Sequence, residues 1–321
     1  MKEKCNAQER LKEGGNMVFN EKFFIVLSCL SLLLLLFLQG RGKVKSNNQK
    51  KLVNLKLGKR GKVHGIIFGR KGNKVLYSET TKEQHCFVCA GTGKGKTSSL
   101  LIPTLRSWTG SSLTIDISGD ISKNCPDMES KIVFEPEDNE TIPYDVFSMI
   151  DKMNDPDEQN EALCQLAILL MPESPNMNDN ARFFLMNGRK ILMASLIAFY
   201  RENLDFCEIC RKIVGNSWQN LFNEIDEIGN EEAVLYINGF VGANEANTSG
   251  CYQQVCEAIN LFATNKNVIN GVRRPGKGEM ALEPSYIETG NIFVIVQDEK
   301  LELYAPLMNI IVSQFMQYIS S

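Results

Sequence analysis

The distribution of apolar and polar positions gives the chain three textures. The first is one uninterrupted apolar run, "FFIVLSCLSLLLLLFL" from Phe23 to Leu38, with no charge in it. The second, from about Val63, is a set of short apolar stretches bounded by turn residues. "VHGIIFGRKGNKVLYS" holds two such runs split by Gly72-Asn73, the pattern of a hairpin or a pair of small strands. "HCFVCA" (85–90) is a continuous apolar run of the kind that forms a buried strand, and Thr97–Trp108 follows with helical period and Pro103 in its second half. "SSLTIDIS" is another β-rich run ending at a Gly119-Asp120 turn, and "KIVFEP" is a further strand stopped by Pro136.

From about Asp151 the period changes. "DEQNEALCQLAILLM" and "NARFFLMNGRKILMASLIAFY" repeat apolar residues at helical spacing, and most segments up to Gly271 do the same. "VLYINGF" fits either a helix or a strand. Pro275, Gly276 and Gly278 close this block, "NIFVIVQDE" returns to strand character, and "LYAPLMNIIVSQFMQYIS" is a last amphipathic helix. Strands alternating with helices predict an α/β fold with a parallel sheet covered on both faces. The helical block predicts an all-α insertion within it. The boundaries this implies are an N-terminal anchor at 1–40, a basic linker at 41–62, the first part of the α/β domain at 63–150, the insertion at 151–280, and the return strand and helix at 281–321.

Charge changes the picture at the N-terminal end. Residues 41–80 hold 12 Lys/Arg against one acid, Glu79, whereas residues 81–321 hold 18 against 33 Asp/Glu, so the overall net of −3 hides a basic segment beside the apolar run. As a helix, Phe23–Leu38 rises about 24 Å, slightly short of a ~30 Å hydrocarbon core, and flanking Lys22 and Arg41 can snorkel to make up the difference. No small-x-small cleavage site follows Leu38, so a retained single span is favoured over a cleaved signal. Nine bases without an acid lie in 41–62, directly after the run, and the positive-inside rule puts the rest of the chain in the cytoplasm. Lipid headgroups are the simplest partner for that basic stretch. The acidic body argues against a sheath of non-specific DNA contacts, so any contact to DNA is local or comes from an assembled channel. Cys86/Cys89 and Cys207/Cys210 have metal-ligand spacing, but the first pair sits in the expected strand, where residues three apart face opposite sides. The second pair continues a helical apolar face. Reduced buried thiols account for both.

The chemistry is concentrated in "AGTGKGKT", Ala90–Thr97. Gly91, Gly93 and Gly95 permit backbone angles that turn successive N–H groups toward phosphate oxygens. Thr92, Lys94 and Ser98 complete the loop's contact surface, Lys96 supplies a point charge for the β- and γ-phosphates, and the Thr97 hydroxyl can ligate Mg²⁺. Lys94 competes as the phosphate lysine, but only Lys96 keeps the Gly-Lys-Thr order. The motif therefore predicts ATP and Mg²⁺ as cofactors. Hydrolysis needs a metal-holding acid at a strand end and a second carboxylate to polarise water. Asp116, Asp298 and Glu299 are the candidates. Asp116 has Ile117 beside it rather than an acid, and Gln297 precedes Asp298-Glu299 where the chain should still be buried.

"HCFVCAGTGKGKTSSLLIPTL", "LTIDISGDI", "KIVFEPED", "DNARFFLMNGRKILMASLIAF" and "VQDEKLELYAPLMNIIVSQFM" follow the order found in type IV secretion coupling proteins. In this respect the chain resembles the TraG/TraD-like conjugation ATPases from about His64 to Ser321. The resemblance implies a RecA-like P-loop domain carrying an all-α insertion, an anchor in the inner membrane of a bacterial cell, and assembly as a homo-oligomeric, hexameric ring. It also implies relaxase–DNA substrates handed to the subunits of a secretion channel. Departures from the family pattern bear on activity. Ala90 stands for the first loop glycine, and the family's Asp-x-Lys-Gly-Glu reads Asp116-Ile117-Ser118-Gly119-Asp120, without the lysine. One span replaces the usual pair. The family's hydrolytic Asp-Glu strand follows the helix with which this sequence ends, which implies an incomplete motor, truncated or encoded in two pieces. Three functions follow: a DNA-translocating coupling ATPase, a nucleotide-binding adaptor that does not hydrolyse, and an FtsK-like double-stranded DNA translocase. The helical insertion speaks against the third. The one dense basic patch in the acidic body, "GVRRPGKG", is expected to be a solvated loop, with Arg273 or Arg274 as alternatives for DNA or a neighbouring subunit's nucleotide.

Overall fold

The computed structural model describes residues 55–59, 63, 65–79 and 85–320. The apolar run 23–38 and most of the basic stretch 41–62 lie outside the described residues. The end of that stretch is not all linker. Lys56–Lys59 is strand β1, pairing antiparallel with β3 (Lys74–Glu79), which also pairs with β2 (Gly65–Lys71) in the order β1-β3-β2. The β2–β3 hairpin turns through Gly72 at φ 61, the left-handed angle that a two-residue loop demands of its first residue. Val63, Ile67 and Val75 form a small core on one face of this sheet. The Ile67 N–H donates to Thr104 Oγ1 (3.0 Å), tying the sheet to the helix after the glycine loop.

A second sheet is parallel. β4 (Ser112–Asp116), β5 (Lys131–Phe134) and β6 (Asn291–Ile295) lie in the order β4-β6-β5, with a short helix α2 (Asp120–Lys123) after β4. All five residues of central β6 are buried, as expected of a strand covered on both faces. Its alternation separates two cores. Ile292 and Val294 join the large core shared with the helical block, and Phe293 and Ile295 pack with Ile121 and Cys125 on the other side.

The expected strand "HCFVCA" is not one. Residues 85–90 have no regular secondary structure, and Phe87 is 92% exposed. The physical reason is a missing partner. An apolar run of this kind is stable as a strand only between neighbours, and β4 has spent one edge on β6. Its other edge is unpaired among the described residues, with Ile115 38% and Ile117 44% exposed. The expected single helix over 97–108 is also shorter and irregular: a π turn over Thr97–Leu101 leads into α1 (Ile102–Leu105). Pro103 has no N–H to continue an i→i−4 ladder, so the turn before it widens.

Between β5 and β6 lies the helical block. Each of its helices opens on a side-chain cap: Asp155 before α3 (Pro156–Leu170), Asn178 before α4 (Asp179–Arg201) and Asp205 before α5 (Phe206–Val214). Ser217 caps α6 (Trp218–Ile228), Asn230 α7 (Glu231–Asn238), Asn244 α8 (Glu245–Thr264) and Asn265 α9 (Lys266–Gly271). The ambiguous "VLYINGF" is thus helical, started by Asn230. Helix α4 is long and apolar enough to cross a membrane, but 56% of its most apolar window is buried in this core. It approaches α8 closely at Gly188, where a Cβ would meet the Cys251 carbonyl at 3.1 Å.

The outgoing and returning segments of the block are stapled together. Tyr144 N–H donates to Gly271 O (2.8 Å), Leu282 N–H to Pro143 O (2.7 Å), and Tyr144 and Leu282 form a parallel bridge. The final helix α10 (Leu301–Ser320) locks the same place, with Tyr144 OH donating to Gln314 Oε1 (2.5 Å) and Gln314 Nε2 to Val146 O (2.8 Å). One core spans the parallel sheet, the helical block and α10.

Candidate phosphate-binding site

The loop Ala90–Thr97 is built for close backbone approach, but by two glycines rather than three. Gly93 (φ 72) and Gly95 (φ 83) adopt left-handed angles that L side chains rarely take. Gly91 does not, and a Cβ there would meet only Lys94 Cγ at an ordinary 3.7 Å. The sequence expectation for Gly91 is therefore corrected: its conformation does not require glycine. The loop is partly closed by Lys94 N–H donating to Gly91 O (3.3 Å), and the helical run begins with Ser99 N–H on Gly95 O (2.8 Å).

Lys96 folds back over this loop. Its Nζ donates to Ala90 O (2.6 Å) and Gly91 O (3.2 Å), with no acidic partner among the described residues. An ammonium held by two neutral carbonyls keeps its charge uncompensated, and phosphate oxygens can replace those acceptors at the same position. Thr92, Lys94 and Ser98 are exposed around the loop, and Thr97 opens the helical run. These residues fit a phosphate group, and Thr97 has the chemistry for Mg²⁺.

In open parallel sheets, ligands lie outside the carboxyl ends of the strands. Asp116 ends β4, 1% exposed, and its Oδ2 accepts the Ser122 N–H (2.8 Å) from α2. Asp298 and Glu299 follow β6 in an exposed single turn of 3₁₀ helix, beyond Val296, the last buried residue of that run. Among the described residues, Asp116, Asp298 and Glu299 do not form a cluster that could hold a metal ion. The structure does bring together a group that sequence reasoning missed. Glu137, beyond β5, accepts from both Lys300 Nζ and Tyr304 OH, and these partners hold its carboxyl below the usual glutamate range. The pair is 163 positions apart, so nothing local could have announced it.

The basic loop after α9 is not solvated freely. Arg273 makes a two-pronged pair with Glu279, and Gly276 N–H donates to the same carboxylate (2.7 Å). Arg274 lies over the Phe147 and Tyr200 rings (5.7 and 6.0 Å to the centroids) and donates to Asn203 Oδ1 (2.9 Å) and Asp151 Oδ1 (3.4 Å). Both arginines are engaged within the chain, where they order the returning segment. Cys207 and Cys210 are buried on α5, and burial pushes both thiols up. Cys86 and Cys89 are exposed, in the segment that is not a strand.

No curated protein matches the chain by sequence. Among solved structures it is similar to the bacterial conjugative coupling protein TrwBΔN70. One form, in complex with sulphate, has a TM-score of 0.52 at 13% identity, covering 70% of this chain and 49% of that one. The unbound monoclinic form gives 0.53 at 17% identity, covering 72% and 50%. The plasmid coupling protein TrwB in complex with ADP and Mg²⁺ gives 0.52 at 16%, covering 72% and 51%. The chain thus spans about half the length of the solved relatives it matches, and at this identity the likeness is one of fold: an α/β fold with a parallel sheet. Residues 41–321 match the family described as type IV secretory system conjugative DNA transfer, and with seven-eighths of its length inside that match, the chain belongs to this coupling-protein family.

Proposed function

We propose that this chain is the nucleotide-binding portion of a membrane-anchored coupling protein of a conjugative type IV secretion system. It binds MgATP at Gly93–Thr97 and presents its helical block to a relaxase–DNA substrate bound for the channel, as one subunit of a ring. The observation that carries the reading is the loop: two left-handed glycines and a lysine whose only acceptors are loop carbonyls. Nucleotide titration tests it. In the full chain, Lys96→Ala is expected to weaken ATP binding by at least about tenfold, the effect of losing one charge-assisted contact of roughly 1.5–3 kcal/mol. Equal affinity in the variant and the parent removes the proposal.

The unpaired edge of β4 supports a refinement. Ile115, Ile117 and Phe87 are exposed where a parallel sheet would cover them. The bare edge leaves residues 85–90 without a neighbouring strand among the described residues. As that refinement, the place of Asp298 and Glu299 in an exposed turn off the sheet favours the second reading, a nucleotide-binding adaptor without turnover. Turnover by this chain alone that vanishes with Asp298→Asn decides against the refinement.

A further inference from the structure

The three-stranded sheet β1-β3-β2 has one face that its small core does not use. Residues paired directly across antiparallel strands project to the same side. Lys59 pairs with Lys74, and Lys74 with Lys71, so three lysines stand in one row across all three strands. All three are exposed, and among the described residues no ion pair reaches any of them. Beside the row, Leu57 pairs with Leu76 on the same face, and Leu57 is 48% exposed. The only acid in these strands, Glu79, belongs to the opposite face and is held by Lys56 (2.5 Å).

Like charges placed directly opposite one another destabilise a sheet unless an anion compensates them. A lysine row beside the exposed Leu57 and the half-buried Leu76 matches the interface of a bilayer, where ammonium groups meet lipid phosphates and apolar side chains reach the acyl boundary. DNA phosphates would compensate the lysines and leave the leucines unrewarded. The apolar run ends at Leu38 and the sheet begins at Lys56, so the face follows the expected span closely in sequence. The acidic residues 81–321 are repelled by an anionic surface that attracts the sheet, which orients the molecule.

We propose that the Lys59/Lys71/Lys74 face, with Leu57, docks on the anionic headgroups of the membrane that carries the anchor. The proposal rests on the membrane-anchored reading of the chain. The test uses the full chain in nanodiscs of phosphatidylcholine, with or without phosphatidylglycerol, and measures the rate of lysine acetylation by mass spectrometry. Lys277, exposed in the loop after α9, is the internal control. The expected result is a slowing of all three lysines by at least about fivefold in the anionic discs, the factor for one lysine at such a surface, reversed in ~1 M salt, where the Debye length is about 3 Å. Lys277 stays unchanged. A Leu57→Asp variant, which leaves the lysines in place, should lose most of the protection.

Failure of the chain to enter any disc overturns the anchored reading and the proposal with it. Entry into discs with equal labelling in both lipid mixtures overturns the docking face alone. Protection by a short DNA duplex in phosphatidylcholine discs, matching that by anionic lipid, overturns it in favour of a DNA contact.

Discussion

The three loop glycines make different demands, and alanine substitution at each should separate them. At Gly95 (φ 83) an alanine must hold a left-handed conformation, which costs about 1–2 kcal/mol for an L-residue. Its Cβ would come within 2.9 Å of Ser99 Oγ, a hydroxyl that can rotate away, so the steric part is small. Gly93 (φ 72) pays the same backbone cost in open space. If phosphate binding keeps these angles, Gly95→Ala and Gly93→Ala should each weaken nucleotide binding by roughly 5–30-fold. Gly91→Ala carries neither cost and should stay within about twofold. The assay is titration of a fluorescent ADP analogue with Mg²⁺ into the full chain, alongside thermal melting. The loop is exposed and outside the core, so all three variants should melt within about 2 °C of the parent. A Gly91→Ala loss as large as that of Gly95→Ala would refute the reasoning, because the bound loop would then not keep these angles.

Arg274→Ala removes a guanidinium lying over Phe147 and Tyr200, leaves Asn203 Oδ1 without its donor and leaves Asp151 Oδ1 with the Tyr200 hydroxyl alone, at a cost of about 2 kcal/mol. Thermal melting should show a loss of roughly 4–8 °C, and no change would mean that this latch does not hold the returning segment. Glu137 gives a pH signature. Lys300 and Tyr304 hold its carboxyl below the usual value of 4.5, so its stabilisation is present above that value and lost as pH falls through the folded one. The gap in melting temperature between the parent and Glu137→Gln should be widest near neutrality and close on acidification below about pH 4.5; a constant gap contradicts the assignment.

Local signals that depend on a few neighbouring residues were legible from the sequence. The Gly-Lys-Thr loop, the Gly72-Asn73 hairpin and the helical block, each of whose helices carries an Asp, Asn or Ser cap, are all written within a few positions. So was β6, although only pairing revealed that it slips between β4 and β5 after the whole helical excursion. The ambiguous "VLYINGF" turned on one residue, Asn230, whose cap decides for a helix. Signals that require a distant partner were not legible. "HCFVCA" has the composition of a buried strand, yet burial is a property of neighbours, and β4 offers only a bare edge.

The sequence by itself located the glycine-lysine loop, because backbone freedom and a charge are carried there within a short contiguous segment. It also determined that an acidic body follows a basic, apolar N-terminal region. Only the tertiary structure decided that Gly91 is conformationally ordinary, and that Arg273 and Arg274 are occupied within the chain. The tertiary structure alone also paired Glu137 with Lys300 and aligned Lys59, Lys74 and Lys71 in one row. Each of these depends on dihedral angles or on contacts across strands and loops, and neither quantity is carried by residue type and spacing.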